Sequence, residues 1–170
     1  MTNFALLQTN IAFNDPEANY AHVRELFAKA MQKTPRPDVV VLPEDWATGF
    51  SDVMFHHMEE LCEPLNGPSV TVCRELAKQY HVWVVAGSIS TRHEDGKMRN
   101  TTFLIDRDGE IVGDYSKMHL YSDMDEDAQL VHGSKSDVFD TELGRLGFMI
   151  CYDIRFCELS RTYALKKADV

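Results

Sequence analysis

Apolar residues along this chain follow two spacings, one typical of buried strands and the other typical of amphipathic helices. Valine-rich runs at 39–42 and 81–90 predict strands buried in a sheet, and a shorter strand is predicted at 4–8. Helical spacing begins at Asp15 and again after the turn at 66–68. The first of these helices carries its predicted core face at Val23, Leu26, Phe27, Ala30 and Met31. Alternating strands and helices indicate an α/β fold.

The second half of the chain begins with a hairpin and continues with a strand and a helix. Strands at 101–106 and 110–115 flank an Asp-Gly turn, which is a strong hairpin signal. A short buried strand at 146–150 precedes a helix at 156–167. Because the sequence shows no repeats, low-complexity tracts or linker, we expect residues 1–170 to form a single layered α/β domain.

The last residues of the chain repeat a pattern from its first third. At 36–39 a helix ends and an aspartate leads into a core strand, and 166–170 has the same order of residue types. A helix docked on a sheet normally returns to a strand. We therefore expect a strand to begin at the last residues, and the 170 residues to be the N-terminal portion of a longer protein.

Composition and charge narrow the classes of function. The chain has 44% hydrophobic and 26% charged residues, which is ordinary for a globular domain with a real core. Its net charge of −10 argues against nucleic acid as a partner. No apolar run approaches membrane-spanning length, and the first residues lack the basic region of a signal peptide. We therefore expect a cytoplasmic location and no membrane partner.

Cysteine and histidine spacings do not indicate a metal site. The four cysteines match neither a zinc nor a disulfide framework: Cys62, Cys73, Cys151 and Cys157. The nearest approach to a ligand cluster, His56 and His57 with Glu60, lacks the i, i+4 histidine pair of zinc hydrolases. We expect reduced thiols, no metal and no organic cofactor.

One cysteine lies where a thiol can act as a nucleophile. The apolar run 147–156 brings Cys151 to the junction between the predicted strand and the predicted helix. Near a helix N-terminus, unpaired N–H groups and the helix dipole favour the thiolate and could bind an oxyanion. The alternative is a cysteine that only fills space, since free cysteine is commonly buried as a small hydrophobic residue.

Three charged residues are candidates to act with this cysteine. Glu44 follows a buried strand through Pro43 and so lies at the carboxyl end of a strand, where α/β sheets present ligand sites. A turn or capping role is the alternative for Glu44. Lys117 ends the strand 111–115, and Glu126 lies in the acidic loop 123–127. Taken singly, a strand-end lysine and an acidic loop are most often solvated.

Three segments together resemble the signatures of the nitrilase superfamily of carbon–nitrogen hydrolases. They are Val-Leu-Pro-Glu at 41–44, Tyr-Ser-Lys-Met-His-Leu at 115–120 and Cys-Tyr-Asp-Ile-Arg-Phe at 151–156. They occur in the family's order, with Gly87 and the predicted hairpin between them. The resemblance implies a four-layer α-β-β-α sandwich, incomplete at the C-terminus, and a Glu-Lys-Cys catalytic triad.

The resemblance also assigns roles to these residues. It implies Glu44 as the general base, Lys117 as the cationic stabiliser and Cys151 as the nucleophile. Glu126, seven residues before Gly133, is the best match to a second glutamate that the family commonly uses, although Asp125 and Asp127 are its neighbours. We expect substrate contacts from Tyr152 and Arg155.

The reaction implied is hydrolysis of a carbon–nitrogen bond in a small carboxylic amide. Cys151 would attack the amide carbon, ammonia would leave, and water would hydrolyse the thioester. The order Cys-Tyr-Asp-x-Arg-Phe resembles the amidase branches, and the run 155–159 looks most like the omega-amidase type. Those enzymes act on monoamides of 2-oxo dicarboxylic acids. Cys157 stands where many relatives have proline, and family members usually form homo-oligomers.

Other interpretations stay open at this point. The chain could be a catalytically silent binding or assembly module on a hydrolase scaffold. It could also be a nitrile hydrolase of the same superfamily. A third possibility is a cysteine–histidine hydrolase in which His119 or His132, rather than Glu44, is the base.

Overall fold

The computed structural model describes residues 2–51 and 56–170. Its first elements are β1 (Phe4–Leu6), α1 (Pro16–Ala30), β2 (Val39–Val41), α2 (Met58–Leu61), β3 (Glu63–Pro64), α3 (Pro68–Tyr80), β4 (Trp83–Val85) and β5 (Ile89–Arg92). The later ones are β6 (Met98–Ile105), β7 (Ile111–Ser116), α4 (Glu126–Gln129), β8 (Val138–Thr141), β9 (Gly144–Gly147) and α5 (Cys157–Leu165). Short 3₁₀ turns lie at Ser122–Met124 and Cys151–Arg155.

In the described part of the chain, seven strands form the main sheet, in the order β1-β2-β4-β6-β5-β3, with β7 paired to β6. The strands β1, β2 and β4 are parallel, whereas β6 runs antiparallel to β4, β5 and β7. The strand β7 pairs with one edge of β6. Both β4 and β5 therefore pair with the other edge of β6, one after the other along its length. The predicted hairpin is thereby confirmed as β6 and β7.

The single strand expected at 81–90 is interrupted at Gly87, so this prediction was wrong in its length. Gly87 has a left-handed backbone, with φ of 58°. A Cβ there would lie 2.3 Å from the carbonyl oxygen of Pro43 and 2.5 Å from the ring of Trp46. The strand therefore breaks where the loop after β2 crosses it, and this loop carries Glu44.

Helices α1 and α3 cover one face of the main sheet. The core on this face joins Val23 and Phe27 of α1 to Leu76 of α3 and to Val40 and Val84 of the sheet. The predicted start of α1 is confirmed, because the Asp15 carboxylate accepts a hydrogen bond from the N–H of Ala18. Two residues of the predicted face, Leu26 and Met31, are only partly buried.

The other face of the main sheet packs against the β8–β9 hairpin, and α5 packs on β9. A Cβ at Gly113 of β7 would lie 2.3 Å from the ring of Phe139 in β8. A Cβ at Gly147 of β9 would lie 2.8 Å from the ring of Tyr163 in α5. The layers therefore run helices, main sheet, small sheet and helix, which is the α-β-β-α order expected from the sequence.

The last residues lie alongside β9. The N–H of Asp169 donates to the carbonyl of Arg145 at 2.7 Å, and the N–H of Gly147 donates to the carbonyl of Val170 at 2.8 Å. The residues at 168–170 do not form a strand in the structure, so the strand expected there stays a prediction. Among the described residues, none of the helices is long and apolar enough to span a membrane.

Candidate active site

A buried lysine forms the centre of the site. Lys117 follows β7, and its side chain is fully buried instead of solvated. Its Nζ lies 2.8 Å from Oε1 of Glu44 and 2.9 Å from Oε2 of Glu126. Burial opposes the charge on Lys117, but the charges and hydrogen bonds of Glu44 and Glu126 outweigh it and raise the pKa of the ammonium. Lys117 is therefore a permanent cation between two carboxylates.

Glu44 reaches this lysine from the loop that follows β2. Its Oε1 accepts hydrogen bonds from Lys117 and from the side-chain amide of Asn100, at 2.8 and 2.9 Å. Burial and then the negative charge of Glu44 raise the pKa of the Cys151 thiol, so this carboxylate acts on the nucleophile. One oxygen of Glu44 is thus held by two donors while its charge acts on the thiol, which suits a general base for Cys151.

Glu126 is brought to the same lysine by the short helix α4. It is fully buried, whereas its neighbours Asp125 and Asp127 are exposed. Its Oε1 accepts from Lys117 and Asn100, and its Oε2 accepts from Lys117 and from the N–H of Tyr121. The solvated reading of this loop was therefore wrong for Glu126, because α4 turns this side chain into the core.

Asn100 is a member of the site that the sequence analysis missed. It lies in β6, fully buried, and its Nδ2 donates to Oε1 of Glu44 at 2.9 Å and to Oε1 of Glu126 at 3.2 Å. The available signal was a run of polar residues at 99–102 in a strand that ends with the apolar residues at 103–105. We call the four side chains the Lys117 cluster: Glu44, Asn100, Lys117 and Glu126.

A third acid, Asp45, lies next to Glu44 and was also missed. Its side chain is buried and accepts a hydrogen bond from Ser90 at 3.2 Å. Burial, together with the charges of Glu44 and Glu126, raises the pKa of Asp45 well above its usual range. The structure therefore favours the neutral form of this carboxyl beside the Lys117 cluster.

Cys151 lies at the predicted junction between a strand and a helix, between β9 and α5, but not in the first turn of the α-helix. Cys151 begins the 3₁₀ turn Cys151–Arg155, and α5 begins only at Cys157. Burial and then the charge of Glu44 raise the pKa of the Cys151 thiol to about 11. The resting form is accordingly a thiol, not the thiolate expected from a helix dipole, so its reaction needs a base.

Cys151 lies at the wall of an open groove of about 680 Å³. We call it the Cys151 groove, and its lining residues are Phe50, Tyr121, Asp123, Cys151, Tyr152, Ile154 and Arg155. The ring of Phe50 lies 5.4 Å from Lys117 Nζ, so the Lys117 cluster reaches the groove beside the nucleophile. Both residues expected to contact substrate, Tyr152 and Arg155, are among those that line it.

The two histidines considered as alternative bases have other partners. His119 Nδ1 lies 2.7 Å from a carboxylate oxygen of Asp153, and the ring stacks on Phe156 at 3.7 Å. His132 Nδ1 lies 2.8 Å from the carbonyl of Met118. Since Glu44 is the carboxylate whose charge acts most strongly on the Cys151 thiol, it is the better candidate for the base. Within residues 2–51 and 56–170, no group of three His, Cys, Asp or Glu side chains could hold a metal ion.

This fold and this cluster of side chains match one class of enzymes. The family model of carbon-nitrogen hydrolases matches residues 3–170, and the chain therefore belongs to that family. The 2-oxoglutaramate amidase of Bacillus subtilis is 34% identical over 164 residues, or 96% of this chain. The omega-amidase NIT3 of Saccharomyces cerevisiae is 32% identical over 174 residues, also 96% of this chain.

Solved structures agree with the family assignment. The crystal structure of Saccharomyces cerevisiae Nit3, a member of branch 10 of the nitrilase superfamily, superposes with a TM-score of 0.87 at 31% identity over 98% of this chain. The resemblance to the nitrilase superfamily and the α/β fold are thereby confirmed. The chain spans 61% of the Bacillus subtilis amidase and 60% of NIT3.

Proposed function

We propose that this chain hydrolyses a small carboxylic amide and releases ammonia through a thioester at Cys151. The observation that carries the proposal is the meeting of Glu44 and Glu126 at buried Lys117, at 2.8 and 2.9 Å, beside the groove that Cys151 lines. The relatives that are amidases by name, a 2-oxoglutaramate amidase and an omega-amidase, support the same reaction type.

The first step is attack of sulfur on the amide carbon. With its pKa near 11, the Cys151 thiol is almost entirely protonated at neutral pH, so its proton passes to Glu44 as the sulfur–carbon bond forms. The amide oxygen then carries negative charge. Lys117 Nζ and the backbone N–H of Tyr152 are the donors proposed for this oxyanion, each typically contributing about 3–4 kcal/mol.

The second step expels ammonia and the third regenerates the thiol. Glu44 gives its proton to the leaving nitrogen, so the carbon–nitrogen bond breaks and a thioester remains on Cys151. Water then loses a proton to Glu44 and attacks the thioester carbon. The carbon–sulfur bond breaks, sulfur takes this proton back from Glu44, and the carboxylic acid leaves. Glu126 is less suited to carry protons, since both of its oxygens accept two hydrogen bonds. Its role is to orient Lys117.

The substrate that fits best carries a carboxylate at the end opposite its amide. Arg155 is an exposed cation lining the Cys151 groove, and an arginine binds a carboxylate in a bidentate manner. The Tyr152 ring packs against Tyr121 and Phe156, with centroids 5.0 and 5.4 Å apart, so it is held as a wall of the groove. An omega-amidase-like substrate, such as 2-oxoglutaramate, has this pattern.

Ammonia release tests the proposal. The chain is incubated with 2-oxoglutaramate, glutamine, asparagine and a neutral amide such as propionamide, with Cys151→Ala as the control. We expect release that is greatest for 2-oxoglutaramate and absent in the variant. Release that persists in Cys151→Ala would contradict the mechanism, and no release from any amide by folded protein would favour a catalytically silent scaffold.

We also propose a cytoplasmic location and self-association of the chain. Two features support these proposals: the cysteines of the described chain are unpaired, and several large apolar side chains near Cys151 and in α5 are exposed. Among the latter are Ile154 and Leu165, which are 72% and 79% exposed. Nucleic acid remains an improbable partner for a chain with a net charge of −10.

A further inference from the structure

A buried carboxylate that the proposed mechanism does not use lies two residues after the nucleophile. Asp153 is fully buried, and four hydrogen-bond donors surround it. Its Oδ2 accepts from the Tyr115 hydroxyl at 2.6 Å and from the N–H of Ile150 at 2.9 Å. Its Oδ1 accepts from the N–H of His119 at 2.9 Å and lies 2.7 Å from His119 Nδ1.

These partners come from two separate parts of the site. Tyr115 and His119 flank Lys117 in sequence, whereas Ile150 directly precedes Cys151. One carboxylate therefore joins the segment that carries the lysine to the turn that carries the nucleophile. Both oxygens of Asp153 are occupied by these donors. Removal of any one donor therefore leaves the buried carboxylate partly unsatisfied.

Asp153 also closes the turn that contains Cys151. Its backbone N–H donates to the carbonyl of Ile150 at 3.0 Å, while its side chain accepts from the N–H of Ile150. Only Cys151 and Tyr152 lie between these two residues. Within this turn Cys151 has φ of 44°, a left-handed conformation that residues with a side chain rarely adopt. The surrounding bonds must hold such a conformation in place.

We propose that Asp153 is a positioning residue, whose carboxylate fixes the Cys151 turn against the Lys117 segment and so holds the thiol at Glu44. Its effect on turnover rests on the proposed amidase function. Its effect on the Cys151 thiol does not, because thiol reactivity can be measured without any amide substrate.

The test uses Asp153→Asn, which keeps the shape of the side chain. Asparagine has only one oxygen that can accept hydrogen bonds. Its N–H₂ group therefore faces N–H or O–H donors that it cannot accept from. Two quantities are measured in folded protein: amide turnover, and alkylation by iodoacetamide at pH 8, resolved by peptide mass for each cysteine. Exposed Cys157 lies outside the turn and serves as the internal reference. The ratio of Cys151 to Cys157 alkylation reports the environment of the nucleophile.

The two readouts are expected to move in opposite directions. We expect kcat to fall about 100-fold with KM changed by less than about threefold, because displacement of the thiol by about 1 Å is sufficient for such a loss. The alkylation ratio is expected to rise about 10-fold or more, since a thiol that moves away from the negative charge of Glu44 ionises more readily. Destabilisation alone leaves both readouts unchanged in the folded protein.

A matched control removes a comparable acceptor far from the site. The Glu63 carboxylate accepts from the N–H of Ser69 and from the Tyr20 hydroxyl, at 2.9 and 3.1 Å. Glu63→Gln is expected to lower the unfolding temperature while leaving kcat and the alkylation ratio within about twofold of the parent chain.

An unchanged alkylation ratio in folded Asp153→Asn would overturn the proposal, whether or not the parent chain hydrolyses amides. If this variant does not fold, Tyr115→Phe replaces it, because it removes one donor to Oδ2 and leaves the turn itself intact. For Tyr115→Phe we expect the ratio to rise about threefold, and no change would equally overturn the proposal.

Discussion

The Lys117 cluster and the Cys151 groove meet at the nucleophile but are built in opposite ways. In the cluster, Lys117 and Glu126 are fully buried and each charged atom has several hydrogen-bond partners. In the groove, Asp123 and Arg155 are exposed side chains on a wall that is open to solvent. The first region is shielded from solvent, whereas the second is open to it.

The difference separates what each region contributes. Electrostatic stabilisation of a reaction requires groups that are already oriented and shielded from water, as in the Lys117 cluster. Selection among small amides requires only a few polar groups that meet the end of the substrate, which is the role we propose for Arg155 in the groove. Substitutions in the cluster should therefore change kcat and stability, whereas substitutions in the groove should change KM.

The largest effect is expected from Lys117→Met, which removes the cation but keeps most of the side-chain volume. Glu44 and Glu126 are then left close together without a counter-charge, and breaking a buried ion pair typically costs about 3–5 kcal/mol. We expect this loss in the free energy of unfolding by urea at pH 7, together with loss of turnover. A loss below about 1 kcal/mol would show that the cluster is not the buried unit described.

The next largest effect is expected from Glu44→Gln. The amide can still accept from Lys117 but cannot take a proton from Cys151, so kcat should fall about 1,000-fold, within the range that general bases contribute. Single-turnover kinetics on folded variant protein measure this. Glu126→Gln is the comparison, and we expect a smaller fall of about 100-fold, since Glu126 orients Lys117. Equal losses would place both glutamates in the proton transfer.

Arg155→Ala should affect binding in the groove more than chemistry. Loss of a charged hydrogen bond of about 1.5–3 kcal/mol corresponds to a KM about 10-fold to 100-fold higher for amides with a distal carboxylate. The KM for propionamide should stay unchanged, and kcat for both should change little. An equal rise for the neutral amide would show that Arg155 shapes the groove instead of binding the carboxylate.

The smallest effect concerns stability at alkaline pH. The pKa of the Cys151 thiol is raised from its ordinary value to about 11, so the folded chain holds this proton more tightly than the unfolded chain does. Its contribution to stability is complete below pH 9 and is lost as the pH rises toward 11. The free energies of unfolding of the parent chain and of Cys151→Ser, plotted against pH, should therefore converge over this range. Parallel curves would contradict the raised pKa.

Much of the scaffold could be predicted because local patterns decide it. The valine run at 39–42 gave a correct buried strand, and Asp15 gave a correct helix start, since burial and capping act over a few residues. The break at Gly87 could not be predicted, because it depends on the approach of Pro43 from a distant loop. A residue run that looks like one strand can be divided by such a tertiary contact.

For the candidate site, too, local sequence patterns predicted some residues, whereas others depended on tertiary contacts. Glu44, Lys117, Glu126 and Cys151 were found through motifs, and the structure brings them together. Asn100 and Asp45 were missed, because a buried polar residue in a strand or loop has no local signal for its distant partner. The thiolate expected at Cys151 was wrong for a related reason. Burial and the carboxylate of Glu44 determine its charge, and neither is visible from the helical pattern that follows it.

We propose that the Lys117 cluster makes Cys151 the acyl acceptor of an amidase. The most direct measurement is the mass of the peptide containing Cys151 after acid quench during turnover of 2-oxoglutaramate, with Glu126→Gln as a slowed variant. We expect a thioester adduct on Cys151, heavier by the acyl group, that forms as ammonia is released. Ammonia release without an adduct on Cys151, or with equal rate in Cys151→Ala, would contradict it.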